Sequence, residues 1–215
     1  KPLTVIGPVA GVNVSTLQFG TGADDSVQAM TVSGSDIYTA GVESGRAVVR
    51  RFTLDAAGVP TLAATRDLGL ASGSIAGISV ENGQVVLTGQ TDNPALDIGA
   101  VTNPHAGGTD VFVATMSADL QPASVDRLTY FGGAGNDTAA DVAIKDGKVW
   151  ITGTNREAGA EKTDPTRAYL ARLDLATGAV EYNQTWRGEG DQAAPTSLSL
   201  ASGGASVLDR LGLPQ

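Results

Sequence analysis

The chain contains no cysteine, which excludes disulfides, thiolate metal sites and cysteine nucleophiles; cytosol and cell exterior stay equally open. Nucleophile elbows of the Gly-x-Ser-x-Gly kind are absent, as are phosphate-cradling loops ending in Lys-Ser or Lys-Thr and the dinucleotide fingerprint. Basic residues are few: 14 Lys and Arg stand against 23 Asp and Glu, a net charge of −9. Phosphate backbones and anionic lipid surfaces need clustered cations, so neither nucleic acid nor an anionic membrane is an expected partner. No apolar run approaches the ~20 residues that span a bilayer, so no membrane insertion is expected. The start at Lys1, without Met or a signal peptide, reads as that of a processed or trimmed piece of a longer chain.

What is present is repetition. Phe19 to Gly41 aligns with Phe131 to Gly153 without a gap at an offset of 112 residues, and Thr185 to Leu200 matches Thr129 to Ile144 at 56. A fixed internal period means copies of one small unit sharing a core. With 28 glycines and many Val, Thr and Ser, the unit reads as short strands joined by tight turns.

The turns between the first two strands are the clearest local signal. Asp146-Gly147 and Asn82-Gly83 are dipeptides that two-residue hairpins favour, because both central positions need positive φ. They join Asp141–Ile144 to Val149–Gly153 and Ile78–Val80 to Val85–Gly89, while Met30, Val32, Ile37 and Thr39 take the same places in the first unit. Alternation predicts one buried face per hairpin. Third strands are predicted at Ala47–Leu54, Val111–Met116 and Ala168–Leu175, with Val49, Val113 and Leu170 equivalent. A fourth strand ends at Gly20, Gly69, Gly132 or Gly188. Their spacings of 49, 63 and 56 place the largest excess in the second unit, between Gly89 and Asp110, as a polar, proline-containing surface excursion.

Four-stranded units with Gly-rich corners predict an all-β fold, a β-propeller of four-stranded antiparallel blades. Leu3–Ile6 and Val12–Leu17 supply the third and fourth strands of a unit, and the last ~30 residues supply the first two by the same hairpin reading. Either these join in a composite blade that closes a ring of four and removes exposed edges, or they are the cut edges of a larger propeller. Residues 1–204 are read as the propeller repeat domain and 205–215 as a tail leading out of the array, where Val207, Leu208 and Leu211 suit a short helix.

Three stretches carry a resemblance: Thr129-Tyr-Phe-Gly-Gly-Ala-Gly-Asn-Asp137, Val149-Trp-Ile-Thr-Gly-Thr-Asn155, and Gly107-Gly-Thr-Asp-Val-Phe-Val-Ala114. They are similar to bacterial β-propeller repeats of the SBBP type, over about residues 16 to 204, best in the third unit. The resemblance implies a bacterial protein, secreted or surface-associated, with no shared catalytic activity. The tail after Gly204 also resembles flagellum-associated and flagellin-regulatory proteins of α-proteobacteria.

Each candidate site has a structural reading beside it. Gly132 to Ala140 fits one copy of the Gly-Gly-x-Gly-x-Asp nonapeptide of calcium-binding β-helices, which act in stacked tandem. Here Asp137 is read as a corner residue bonded to nearby amides, with calcium at Asp24, Asp25, Asn136 or Asp137 left open. Lone His105 lacks a sequence-adjacent carboxylate and is read as a solvated loop residue. Tyr38 and Trp150, equivalent at the 112-residue offset, are assigned to inter-blade core, with a ligand platform as the other reading. The sequons at Asn13, Asn136 and Asn183 are discounted. Asp97, Asp110 and Asp141 are the carboxylates that would converge on one ring face in a hydrolase. No catalytic, cofactor-binding or metal-binding residue is assigned, and no cofactor is expected. The expectation is a non-enzymatic binding or scaffolding module of a bacterial surface or flagellum-associated protein, engaging a protein or glycan partner through propeller loops. The alternative is a glycoside or other hydrolase with carboxylates in the channel.

Overall fold

Asn82 and Asp146 adopt φ of 48° and 52°, and Gly83 and Gly147 follow at 78° and 72°. Both pairs therefore close the type I′ hairpins that their sequence demands. In the computed structural model, which describes residues 17–70, 72–156, 166–187, 194–201 and 204–208, these hairpins begin the second and third of a series of blades.

Blade 1 comprises β1 (Asp25–Ser33), β2 (Asp36–Glu43), β3 (Arg46–Leu54) and β4 (Pro60–Leu70) in that spatial order, all antiparallel. Blade 2 comprises β5 (Gly73–Glu81), β6 (Gln84–Thr91), β7 (Ala100–Asn103), β8 (Asp110–Ser117) and β9 (Arg127–Phe131). Blade 3 comprises β10 (Thr138–Lys145), β11 (Lys148–Asn155), β12 (Arg167–Asp174) and β13 (Val180–Trp186); a last hairpin pairs β14 (Ser197–Ala201) with β15 (Gly204–Leu208). No helix occurs among the described residues. The first strands stack in sequence, β1 on β5, β5 on β10 and β10 on β14. This is a propeller arrangement of largely antiparallel blades, and among the described residues its sheets do not close into a ring.

Two cores fill the spaces between blades. One holds Tyr38, Ala40, Val49 and Leu68 of blade 1 against Ile78, Leu87 and Phe112 of blade 2. The other holds Val86, Val111 and Val113 of blade 2 against Val142, Ile144, Val149 and Ile151 of blade 3.

The glycine that closes each second strand is fixed by packing. A Cβ on Gly41, Gly89 or Gly153 would lie 1.8, 2.1 or 1.9 Å from the carbonyl oxygen of Ser26, Ser74 or Thr138. Each carbonyl belongs to the neighbouring first strand, next to a β-bulge. The Phe112 ring and the Tyr169 hydroxyl also press onto Gly89 and Gly153.

Four expectations need correction. Blade 2 has five strands, since the excess between Gly89 and Asp110 is only partly a surface excursion; it adds β7 parallel to β9 at the outer edge. The same segment buries Leu96 and Ile98 in the core between blades 1 and 2. Met30 and Val32 are 64% and 59% exposed, although their equivalents Val142 and Ile144 are buried. In blade 3 that face meets blade 2, whereas in blade 1 it meets no blade among the described residues. Gly204–Leu208 is a strand rather than a short helix, because β14 offers it a complete antiparallel ladder from Ser197↔Leu208 to Ala201↔Gly204.

Leu3–Ile6 and the second N-terminal strand as far as residue 16 lie outside the described residues, as do Asn13, Gly188 and Leu211. Leu17 is described and exposed, outside any strand.

Candidate functional site

The irregular parts of blade 2 meet blade 1 around a cavity of about 370 Å³. Its walls are Thr65, Arg66 and Asp67 of β4, Asp97 and Gly99 of the segment unique to blade 2, and Leu120 to Ala123 with Asp126 of the β8–β9 connection. Leu96 and Ile98 anchor the unique segment in the core, and the Asp97 amide donates to the Leu68 carbonyl at 2.8 Å. Gly99, at φ +53°, turns so close to Asp126 that a Cβ would stand 2.2 Å from the Asp126 carbonyl oxygen.

The charges around the cavity are largely matched. Arg66 Nη2 donates to Asp126 Oδ2 at 2.7 Å, with the side chains 9% and 1% exposed, and Arg66 Nη1 donates to the Gln121 carbonyl at 3.2 Å. Asp126 Oδ2 also accepts the Ala123 amide at 2.9 Å, while its buried Oδ1 has no donor. Asp67 pairs with Arg46 at 2.5 Å and accepts the Gly69 amide. Burial pushes the Asp67 carboxyl up, but the Arg46 and Gly69 donors outweigh it and hold the group below its ordinary value. Asp97 is exposed, and its carboxylate accepts no hydrogen bond from the described residues.

A second cluster of charge is sealed inside the corner between blades 2 and 3. Asp110 and Asp137 are 0% and 1% exposed, and both approach Gly132, where a Cβ would stand 2.7 Å from Asp110 Oδ1 and 2.3 Å from Asp137 Oδ2. Gly133 donates its amide to Asp137 Oδ2 at 2.7 Å, the corner bond that the sequence pattern predicts. The same corner recurs in blade 1, where Asp25 accepts the Thr21 amide and the Thr21 hydroxyl. Burial raises the Asp137 pKa, opposed by the Gly133 amide and reinforced by the Asp110 charge. Oδ1 of Asp110 and Oδ1 of Asp137 both lack donors.

At the nonapeptide, Asn136 Oδ1 accepts the Thr109 amide at 3.0 Å, so its oxygen is committed to the blade 2 segment. No group of three or more His, Asp or Glu gathers as metal ligands among the described residues.

His105 is not a solvated loop residue. Its side chain is 10% exposed, Nε2 lies 3.2 Å from the Thr91 carbonyl, Nδ1 lies 3.6 Å from Asp110 Oδ2, and its ring meets Tyr130 edge-on at 5.3 Å. The carboxylate that sequence neighbours lack is supplied five positions on, because the segment folds back to pair β8 with β6.

Asp97, Asp110 and Asp141 do not converge. Asp97 lines the cavity, and Asp110 is sealed beside Asp137. Asp141 accepts the Leu198 amide of β14 at 2.8 Å and is raised in pKa by burial, against the Leu198 and Val142 amides. Tyr38 is inter-blade core as predicted, 2% exposed, its hydroxyl donating to the Ala118 carbonyl at 3.0 Å. Trp150 is only half-buried; it stacks beneath Arg172 at 5.4 Å and beside Tyr182 at 6.3 Å on the side away from blade 2. The Arg66–Asp126 pair had no signal in the sequence, since the two residues are 60 positions apart and belong to no repeated motif.

No protein-family model matches the chain. The chain is similar to "Regulatory protein FlaEY" of Caulobacter vibrioides, 36% identical over 227 aligned positions that cover 93% of this chain and 24% of that protein. It thus spans about a quarter of the length of the curated relative that it matches. Among solved structures, an apocarotenoid oxygenase from Synechocystis is 12% identical with a TM-score of 0.45, over 84% of this chain and 45% of that one. A GH43 endo-arabinanase from Bacillus licheniformis is 12% identical with a TM-score of 0.31, over 92% and 94%. At these values the two structural likenesses carry no argument about activity.

Proposed function

We propose that the chain is a non-enzymatic binding module within a bacterial regulatory protein, and that it engages a protein partner through the loop-built surface where blades 1 and 2 meet. One observation carries this reading: the unit is constant where it packs and departs from its period at Gln90 to Asp110, and that departure forms one wall of the cavity. Loops held on a rigid β scaffold are the usual seat of recognition. The similarity to a protein named as regulatory supports a regulatory setting. The tail's resemblance to flagellum-associated proteins makes the bacterial flagellum, at the cell surface, our choice of setting.

A hydrolase would need two carboxylates facing a shared opening with room for substrate. The most strongly desolvated neighbours, Asp110 and Asp137, are sealed from solvent, and two of the cavity carboxylates are held by arginines. This favours binding over turnover.

The test is a photo-crosslinking residue introduced at Gln121 of the host protein, with Val59, an exposed residue outside the cavity wall, as control. A discrete protein adduct at Gln121 and none at Val59 is expected. Adducts to carbohydrate alone, or a glycoside hydrolysis that Asp97→Asn abolishes, would overturn the reading.

A further inference from the structure

Val27, Met30 and Val32 set three large apolar side chains in a row on one face of β1, and they are 52%, 64% and 59% exposed. Scattered exposed hydrophobics are ordinary, but these occupy positions that the other blades cover. Their equivalents Ile75, Ile78 and Val80 of β5 pack in the core between blades 1 and 2, and Ala139, Val142 and Ile144 of β10 in the core between blades 2 and 3. At both junctions the first strand of a blade lies on the first hairpin of the blade before it, β5 on β1 and β2, β10 on β5 and β6. The piece missing over β1 therefore has the form of a first hairpin.

Phe19 marks where that piece joins. It lies on the Phe52 ring of β3 at 5.1 Å, as its equivalent Phe131, the last residue of β9, lies on the Tyr169 ring of β12 at 4.8 Å. The corner after it repeats as well, the Thr21 amide donating to Asp25 as the Gly133 amide donates to Asp137. The chain thus enters β1 as it would leave the fourth strand of a blade, and Phe52 beneath Phe19 is only 3% exposed. Exposure is left to the inner strand, where the first hairpin of that blade belongs.

We infer that this place is filled by the β14–β15 hairpin of a second copy of this chain. β14 and β15 make a first hairpin, seated through β14 on β10 and β11 as at the earlier junctions, and no first strand follows it among the described residues. One end of the series presents a hairpin without a next strand, the other a first strand without a hairpin. Within one copy the two stand at opposite ends, and the sheets do not close among the described residues. A second copy brings them together by continuing the junction that blades 1, 2 and 3 already use. The two patches differ, so the contact is heterologous and the copies associate head to tail. It lies apart from the cavity wall and stands or falls independently of the Gln121 crosslink.

The experiment is sedimentation velocity on the full 215-residue chain from micromolar to millimolar concentration. Concentration-dependent dimers and longer species are expected. Met30→Asp, at a side chain 64% exposed, should weaken that association about tenfold or more, the scale of one lost buried methionine. Val59→Asp, exposed in the β3–β4 connection, should leave it unchanged. Ser206 takes the ladder position of Tyr38 and Val86, which meet the following blade in blades 1 and 2, so Ser206→Arg should weaken association from the other end. Mixed, Met30→Asp supplies the hairpin and Ser206→Arg the β1 face, and the pair should regain a dimer that neither forms alone at the same concentration. A monomer at every concentration, association indifferent to Met30→Asp, or a mixture no better than its parts overturns the proposal. A photo-crosslinking residue at Val32 should join residues 197–208 in a dimer-sized product; the same joint in a monomer-sized product overturns the proposal in favour of closure within one copy.

Discussion

Replacing Asp137 by asparagine tests whether the sealed corner stores a pH-dependent cost. Asp137 is 1% exposed, its carboxyl is raised above the ordinary 3.8 by burial, and the Asp110 charge adds to the rise. The folded state therefore holds this proton more tightly than the unfolded chain does. Its contribution to stability is complete below pH 3.8 and is lost as pH climbs through the folded pKa. Between those two values the wild type should lose about 1.4 kcal/mol per pH unit from this group, and nothing further above them. The amide side chain of Asp137→Asn carries no such proton, and its oxygen can still accept from Gly133. Any fixed cost of the new N–H group shifts the whole curve without changing its slope, and the carboxylates remote from this corner titrate alike in both proteins.

The assay is urea unfolding of both proteins at a series of pH values from about 3.5 to 8, reading the difference in unfolding free energy. That difference should move in favour of Asp137→Asn as pH rises from 3.8 and then level off. Parallel curves, or a difference that moves the other way, would refute the claim that burial and the Asp110 charge govern this corner.

Gly153→Ala should destabilise the fold by about 3 kcal/mol or more, since its Cβ would stand 1.9 Å from the Thr138 carbonyl oxygen. Gly133→Ala, with no atom within 4 Å of its Cβ and no positive φ, should change stability by less than about 0.5 kcal/mol; thermal melts of the two variants separate packing from flexibility. Arg66→Ala leaves the Asp126 carboxylate buried without its cation and should cost about 3–5 kcal/mol by denaturant unfolding. Combining Arg66→Met with Asp126→Leu removes both charges at once and should restore much of that loss. Asp174, held at about 2 by its bond to Lys148, should titrate there by carboxyl NMR and return toward 3.8 in Lys148→Ala. Its contribution is present above 3.8 and lost as pH falls toward 2. Chelator should leave the melting curve unchanged, because Asp137, Asn136 and Asp25 spend oxygens on Gly133, Thr109 and Thr21 amides; a large fall would assign an ion to the corner.

Legibility followed the range of the interactions. Asn82-Gly83 and Asp146-Gly147 fix turns through their own φ values, and alternation along β5, β6, β10 and β11 follows from the pleat, so the hairpins could be read locally. The equivalence of Val49, Val113 and Leu170 also holds, each facing the residue just before the invariant glycine of the second strand: Ala40, Thr88 and Thr152. The tail resisted the same treatment. The spacing of Val207 and Leu208 is compatible with a helical turn, and only the ladder offered by β14 selects the strand.

The sequence by itself determined the unit: two hairpin strands, a third and a fourth, with glycine wherever a neighbouring carbonyl or ring leaves no room for a Cβ. Only the tertiary structure decided what each copy of a position meets. Met30 and Val142 occupy the same place in their units, yet one is 64% exposed and the other 5%, because blade 3 packs that face on blade 2. Tyr38 is buried against blade 2, while its equivalent Trp150 stacks half-buried under Arg172. The Arg66–Asp126 pair arises in the same way, from segments that the fold brings together across several strands. Periodicity encodes which side of a strand a residue occupies; burial and charge pairing depend on the neighbour across the gap, which no local pattern contains.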